Sequence, residues 1–373
     1  MQPSQRLDDP AAAAESILTQ ELAARRAEVA AIDSRLTDDV DRLVGYISAG
    51  GKRLRPQFLC WGYLAAAGDR AVDVAALPVG VIKAAAALEL IQACALIHDD
   101  IIDRSDTRRG QPSVHRSVEK LHAGRGWAGD PAHYGLSSAL LIGDLALAWA
   151  DDLFNDAVQM LDQPRGALQV WRAMRTEVLA GQLLDLRITA DVAADPQVAA
   201  ADAMTVNRYK TAAYTVERPL HLGAALAGGS ESTVAALRRY GTAIGVAFQL
   251  RDDVLGIFGD PAVTGKPAGG DLIEGKKTVL LAMARAALQD RPEVLAELDD
   301  GLGTAIGPAA VDRLAGLVAG TGAVSEIEAQ IADLLAVGLA AVEEVDQSGE
   351  PLVAGAAAGN LRRLALAATA RDR

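Results

Sequence analysis

VIKAAAALELIQACALIHDDIID, residues Val81–Asp103, is the stretch that decides the fold. Apolar side chains cover this segment on nearly every side, and a helix of that kind belongs in the middle of a molecule. Its last turn is the opposite, with three carboxylates within five residues. Outward from it, Ala and Leu dominate, and apolar residues recur at three- and four-residue intervals. The pattern predicts amphipathic helices between Ala11 and Val44, ended by Ser48-Ala49-Gly50-Gly51, and a helix opened by Pro56. Further helices are expected over Ser137–Met160, Gly166–Ile188, Val198–Ala227 and Thr233–Phe258, and in the Ala/Leu-rich remainder. Gly and Pro mark surface loops over His122–Gly135 and Gly259–Gly275. Neither a repeat nor a linker divides the chain. The expected fold class is all-α, a single-domain helical bundle over residues 11–373 behind a disordered N-terminus, residues 1–10.

The 373 residues carry 36 Lys and Arg against 49 Asp and Glu, a net charge of -13, and half are hydrophobic. That balance fits a globular protein and excludes broad binding of nucleic acid or anionic membranes, whose phosphates the field repels. A phosphate site here has to be made locally, from clustered cations or metals. With only Cys60 and Cys94, neither a disulfide framework nor a Cys-based zinc site can be built, which suits a reducing cytoplasm. The opening MQPSQRLDDP lacks the basic and apolar blocks of a secretory signal. The apolar runs Ala84–Ile97 and Ser138–Ala150 are interrupted by Glu89 and Asp144 and are too short to span a bilayer, so no integral membrane segment is expected.

Asp-Asp pairs occur at 8–9, 38–39, 99–100, 151–152, 252–253 and 299–300, and most such pairs are solvated helix faces. Two stand in unusual settings. Asp99, Asp100 and Asp103 end the most apolar helix, with Asp99 and Asp103 four apart on one face. Unpaired carboxylates are costly there, and their hard oxygens suit Mg²⁺ shared with substrate phosphates. Arg108-Arg109-Gly110 follows, two permanent cations able to grip phosphate. The second pair, in Phe248-Gln249-Leu250-Arg251-Asp252-Asp253, precedes Thr264-Gly265-Lys266-Pro267, Asp271 and Lys276-Lys277. Two acidic helix ends can face each other across a bundle. Gly50-Gly51-Lys52-Arg53-Leu54-Arg55-Pro56 adds a third, purely cationic cluster before a helix start.

The ordered set GGKRLRP, DDIID with RRG, GQLLD, YKTA and FQLRDD with TGKP, between residues 50 and 277, resembles the trans-isoprenyl diphosphate synthase family, most closely its geranylgeranyl diphosphate synthases. The resemblance implies a helical bundle of the isoprenoid synthase type with a central active-site cavity, commonly a homodimer, using Mg²⁺ with three ions per site. By that resemblance Asp99, Asp103 and Asp252 bind metal, Asp100 more peripherally, and Asp253 and Asp271 support them. Arg108, Lys210 and Lys266 contact the allylic diphosphate, and Lys52, Arg55, Gln92 and Arg109 hold isopentenyl diphosphate. Thr211 and Gln249 match positions near the reacting carbons, and Gln182 and Asp185 a polar pair near the metals. The implied reaction ionises the allylic diphosphate, the isopentenyl double bond attacks the cation, and a proton leaves with the diphosphate. The five His residues form no triad or zinc spacing and read as structural.

One departure stands out. The family's second motif usually has a third Asp three positions after the pair, where this chain has Gly256, and Gly270 stands where an acid often precedes Asp271. Asp260 is a candidate to compensate. The growing chain is expected to run down the helix from Asp99, about 5.4 Å per turn. Cys94 and Ala95 are small, with Ile91, Leu90, Leu88 and Ala87 below, and Phe58, Trp61 and Tyr63 on a neighbouring helix as candidate floors. Without an aromatic plug the geometry favours a twenty-carbon product over a fifteen-carbon one, with a longer polyprenyl chain also open. A terpene cyclase shares the acidic motifs but has no use for GGKRLRP, and a non-catalytic subunit is favoured by Gly256 alone. The C-terminal Arg371 and Arg373 are candidates to reach the isopentenyl site.

Overall fold

The computed structural model describes residues 9–68, 74–161, 166–190, 196–260, 269–304 and 307–370. The chain starts with α1 (Pro10–Ile32), α2 (Thr37–Ser48) and α3 (Leu54–Ala67), followed by α4 (Val79–Ile102). Asp9 caps α1 through Ala11 N and Pro10 opens it, so the start expected to be disordered is helical from Pro10, and residues 1–8 lie outside the description.

The expected central helix is α4, with fourteen buried residues, including Ala84–Ile91 without a break. Taken whole it is long and apolar enough to cross a membrane, contrary to the interrupted runs read from sequence. Yet 72% of its most apolar window is buried inside the protein, which makes it a core helix. It packs along α6 (Pro131–Gln159), which follows α5 (Val114–Arg125). The loop expected over His122–Gly135 is therefore only residues 126–130. Asp130 accepts from Ala132 N and Pro131 opens α6, a capped start that a Gly/Pro count mistakes for loop.

The helices α7 (Ala167–Ala190), α8 (Pro196–Val206), α9 (Arg218–Leu226) and α10 (Glu231–Phe258) complete the bundle around the site. Between α8 and α9 the predicted single helix widens into a π-helix over Asn207–Glu217. Gly181 of α7 and Gly245 of α10 flank it so closely that a Cβ at either would lie 2.7 Å from the backbone of Lys210 or Ala212. These glycines let three backbones converge where the π turn swings its side chains inward. After α10 come α11 (Gly270–Glu274), a short turn inside the expected loop, and α12 to α16 at Val279–Ala287, Pro292–Gly301, Pro308–Ala319, Ala323–Val342 and Gly355–Thr369. Among the described residues, paired strand is limited to Thr107–Arg108 against Gln111–Pro112, with an isolated bridge between Val345 and Pro351.

The core forms two clusters, one around α3, α4 and α6, the other around Leu272, Leu280, Leu298, Leu314 and Ile327. α10 belongs to both, through Ala236–Ile244 and Val246–Ile257, and so ties the C-terminal helices to the site.

Candidate active site

The end of α4, the π-helix, the end of α10 and the turn before α3 carry the predicted groups. Asp99 and Asp103 share a face as their spacing requires, and Lys210 from the π-helix reaches across to them. Its Nζ lies 3.3 Å from Asp99 and 2.6 Å from Asp185 of α7. Those carboxylates hold the Lys210 ammonium above its ordinary range against the opposing effect of burial. Partial loss of hydration, then the Asp99 charge, push the Asp103 carboxyl up to about 6, although Lys210 and Lys276 oppose this. Carboxylates that raise one another this way call for an additional cation.

Asp100 sits differently. It is 1% exposed, takes Arg108 Nε at 2.8 Å and Nη2 at 2.6 Å on one oxygen, and accepts the Tyr46 hydroxyl at 3.2 Å on the other. Burial raises its pKa in spite of Arg108. Both oxygens face protein donors, so Asp100 holds Arg108 in place, and Arg108 is left 3.5 Å from Asp99.

At the facing end of α10, Asp252 is exposed and Asp253 is buried. Gln249 donates to Asp253 at 2.9 Å, while the other oxygen, Oδ2, has no partner. Burial, then the charges of Asp271 and Asp252, push Asp253 up to about 7. The space left by the missing third acid is filled. A Cβ on Gly256 would lie 2.1 Å from Asp271 Oδ2, so the Asp271 carboxylate fills the space over Gly256. Asp260, the candidate named from sequence, is exposed at the helix end. Lys276 lies 3.7 Å from Asp271 and also acts on Asp103, and Lys277 donates to Ile188 O at 2.6 Å. The two acidic ends are thereby joined through the segment after α11. Lys266 lies outside the described residues.

The third cluster is the turn before α3. Lys52 is exposed, and its carbonyl takes Gln57 Nε2 at 2.8 Å. Arg55 donates to Thr215 at 2.8 Å and stacks 4.3 Å over the Tyr214 ring. Arg109 donates to Gly50 O, and Gly51, at φ 143, leaves the guanidinium room. Arg55 Nε, Gln92 Oε1 and the Tyr214 hydroxyl are buried without partners. Orphan polar atoms gathered beside cations mark a place shaped for a polar ligand. Arg53, counted among the cations of this cluster, points inward to Glu89 instead. Tyr46, Glu89 and Tyr214 were missed by sequence reasoning, and only Glu89, a charge inside an apolar run, gave a signal. Thr211 and Gln182 are half-buried, on the π-helix and α7.

Leu90, Ile91 and Cys94 are buried on α4 and Ala95 is half-buried. Burial pushes the Cys94 thiol up to about 12, and its sulfur lies 3.7 Å from His98 Nδ1. His98 Nε2 approaches Leu140 O at 3.2 Å, where Gly143 of α6 leaves the ring room. Arg371 and Arg373 are outside the described residues.

Among the described residues no three His, Cys, Asp or Glu side chains close a metal cage by themselves. Asp99, Asp103 and Asp252 nevertheless present hard oxygens at open positions, which fits Mg²⁺ that retains waters and completes its shell with phosphate. Two facing acidic ends with a separate cationic wall, inside a helical bundle, define an enzyme that handles two diphosphates.

The chain belongs to the polyprenyl synthetase family, whose sequence model matches residues 38–304. It is 33% identical over 259 residues to a short chain isoprenyl diphosphate synthase of Methanothermobacter thermautotrophicus, covering 68% of this chain and 70% of that one. A geranylfarnesyl diphosphate synthase of Aeropyrum pernix is 32% identical over 297 residues, 78% of this chain and 83% of its own. The crystal structure of geranylgeranyl pyrophosphate synthase from Corynebacterium glutamicum, complexed with isoprenyl diphosphate and magnesium, superposes with a TM-score of 0.88 at 44% identity. That match covers 98% of this chain and 99% of the other.

Proposed function

We propose that this protein is a trans-prenyltransferase that condenses isopentenyl diphosphate with allylic diphosphates to a product of twenty carbons, geranylgeranyl diphosphate. The observation that carries the reading is the pair of unlike grips. One is an acidic cleft between α4 and α10 with Lys210 at its centre, and the other is a cationic wall of Lys52, Arg55 and Arg109 with unpartnered polar atoms beside it. One diphosphate that must leave and one that must stay need such different surroundings.

Asp99, Asp103 and Asp252 would hold Mg²⁺, three ions with substrate bound, with Asp185, Asp253 and Asp271 supporting. Bound there, Mg²⁺ supplies the positive charge that makes the allylic diphosphate a leaving group. Arg108, kept in place by Asp100, Lys210 and Lys266 take the allylic phosphate oxygens. Arg55, Lys52, Gln92 and Arg109 hold the isopentenyl diphosphate with its double bond toward the allylic carbon. Thr211 and Gln249 flank the reacting carbons, and Gln182 orders the polar edge of the cleft. The departing diphosphate accepts the proton, so the protein needs no nucleophile.

The product descends along Cys94, Ala95, Ile91 and Leu90, a wall free of aromatic plugs, and the twenty-carbon name of the Corynebacterium relative supports that length. A second copy of the chain covers the exposed leucines Leu140 and Leu141 of α6 and Leu179, Leu183 and Leu186 of α7. The buried free thiols suit the cytoplasm.

Incubation with Mg²⁺, labelled isopentenyl diphosphate and, separately, five-, ten- and fifteen-carbon allylic diphosphates should give one twenty-carbon product. Asp99→Asn with Asp103→Asn should cut turnover by about a thousandfold or more with the helical circular dichroism intact. Turnover that survives in the double variant refutes the metal assignment.

A further inference from the structure

Arg53 sits in the middle of the cationic turn yet contributes nothing to its surface. Its backbone is left-handed, φ 47, at the N-cap of α3. Among the described residues only Arg53, Arg104 and Arg109 adopt a positive φ without being glycine, and two of the three belong to this wall. A side chain held in that region needs surroundings that fix it. For Arg53 they are Glu89, whose carboxylate takes Nη1 at 2.5 Å, and Ile47 O at the end of α2, which takes Nη2 at 2.7 Å. The two side chains of the pair are 9% and 8% exposed.

Glu89 stands in the apolar middle of α4, one turn before Gln92. Burial, with Arg53 adding to it, lowers the Arg109 pKa, and the charges of Tyr46 and Glu89 oppose this. Arg109 in turn donates to Gly50 O, at the opposite end of the same turn. The buried pair therefore ties α2 and α4 to the 50–53 turn, and Arg109 bonds the same turn at Gly50.

We infer that the Arg53–Glu89 pair is the positioning device of the isopentenyl site, holding Lys52, Arg55 and Arg109 in register without touching the substrate. This rests on the assignment of isopentenyl diphosphate to that wall. Lys210, Asp99 and Asp103 are held by other partners, so loss of the pair acts on one substrate. A fold-wide structural role would weaken both substrates together.

The test is Glu89→Gln, which keeps the shape and removes the charge, assayed with each substrate varied at saturation of the other. The KM for isopentenyl diphosphate should rise by about tenfold or more, several times further than the allylic KM rises or kcat falls. Calorimetric titration of isopentenyl diphosphate in EDTA should show the same weakening, since the wall is cationic and needs no metal. Arg53→Lys, which keeps the charge but not the two-partner fork, should show a smaller rise and serves if Glu89→Gln does not fold. Lys52→Ala and Arg55→Ala separate the two layers of the argument. If they leave isopentenyl affinity unchanged, the site assignment fails. If they weaken it while a folded Glu89→Gln and Arg53→Lys do not, or if those two raise both KM values equally, the positioning inference is overturned.

Discussion

Gly256→Ala adds one carbon to the turn of α10 beneath the second acidic cluster. The new Cβ would lie 2.1 Å from Asp271 Oδ2 and 2.4 Å from its Cγ, so the carboxylate has to withdraw by more than about 1 Å to reach ordinary contact. Fold stability should hardly register this. Ala is the better helix residue by up to about 1 kcal/mol, and a short acidic side chain can rotate aside at small cost. Function should register it strongly, because a carboxylate displaced by about 1 Å can cost around a hundredfold in rate. The assay is turnover against Mg²⁺ concentration, with the melting temperature measured alongside. We expect an unchanged or slightly higher Tm with an apparent Mg²⁺ requirement raised by about tenfold or more. Gly256→Asp, which restores the acid usual in the family, should be as poor, because it evicts Asp271. Gly256→Asp combined with Asp271→Gly should recover part of the loss. A single Gly256→Asp variant needing less Mg²⁺ than the parent would refute the reasoning.

Cys94→Phe places an aromatic ring one turn below Asp99, where burial leaves the thiol no access to solvent, and should shorten the main product from twenty to fifteen carbons, read by chromatography of the dephosphorylated products. His221 carries the acid-side prediction. Burial, then the charges of Arg218 and Arg238, lower it to about 4. The unfolded chain binds that proton first, so the stability His221 contributes is complete above its ordinary pKa near 6.5 and is lost as pH falls toward about 4. His221→Gln should therefore flatten the drop in Tm between those two pH values, and an identical drop in both proteins would refute the assignment. Leu141→Glu with Leu183→Glu puts charges on side chains 62% and 63% exposed and should convert the proposed dimer to monomer in sedimentation velocity.

The acidic ends, the cationic turn and the all-α class were legible because each is local. Four-residue spacing places Asp99 and Asp103 on one face whatever surrounds the helix, and a run such as Ala84–Ala87 can only be core. The same arithmetic turns Asp100 about 100° away from Asp99. Its separate surroundings beside Tyr46 and Arg108 were thus within reach of the sequence, in line with its more peripheral place in the acidic set. The widened π turn was not within reach. It depends on Gly181 and Gly245 admitting two backbones against Lys210 and Ala212, and those glycines lie in other helices. Helix rules also read the capped start at Asp130-Pro131 as loop because Gly and Pro were counted without their order.

What the sequence concealed most fully is which charges answer one another. Arg53 and Arg55 sit two residues apart in GGKRLRP and look interchangeable, yet one faces Glu89 and the other Tyr214 and Thr215. The backbone at Arg53 decides this, since a left-handed residue sends its side chain where a helical one cannot, and no composition rule marks an arginine for that region. Gly256 has the same character. Read along the chain it is a missing acid and an argument for lost activity. In space it is the gap that lets Asp271, fifteen positions away, approach Asp253 and occupy the place where a third acid would stand. A net charge of -13 adds to the demand for such pairing. On the proposed reading a diphosphate enters this protein only where cations and metal sites are held against that field, and buried partners such as Asp100 and Glu89 fix Arg108 and Arg53 before substrate arrives.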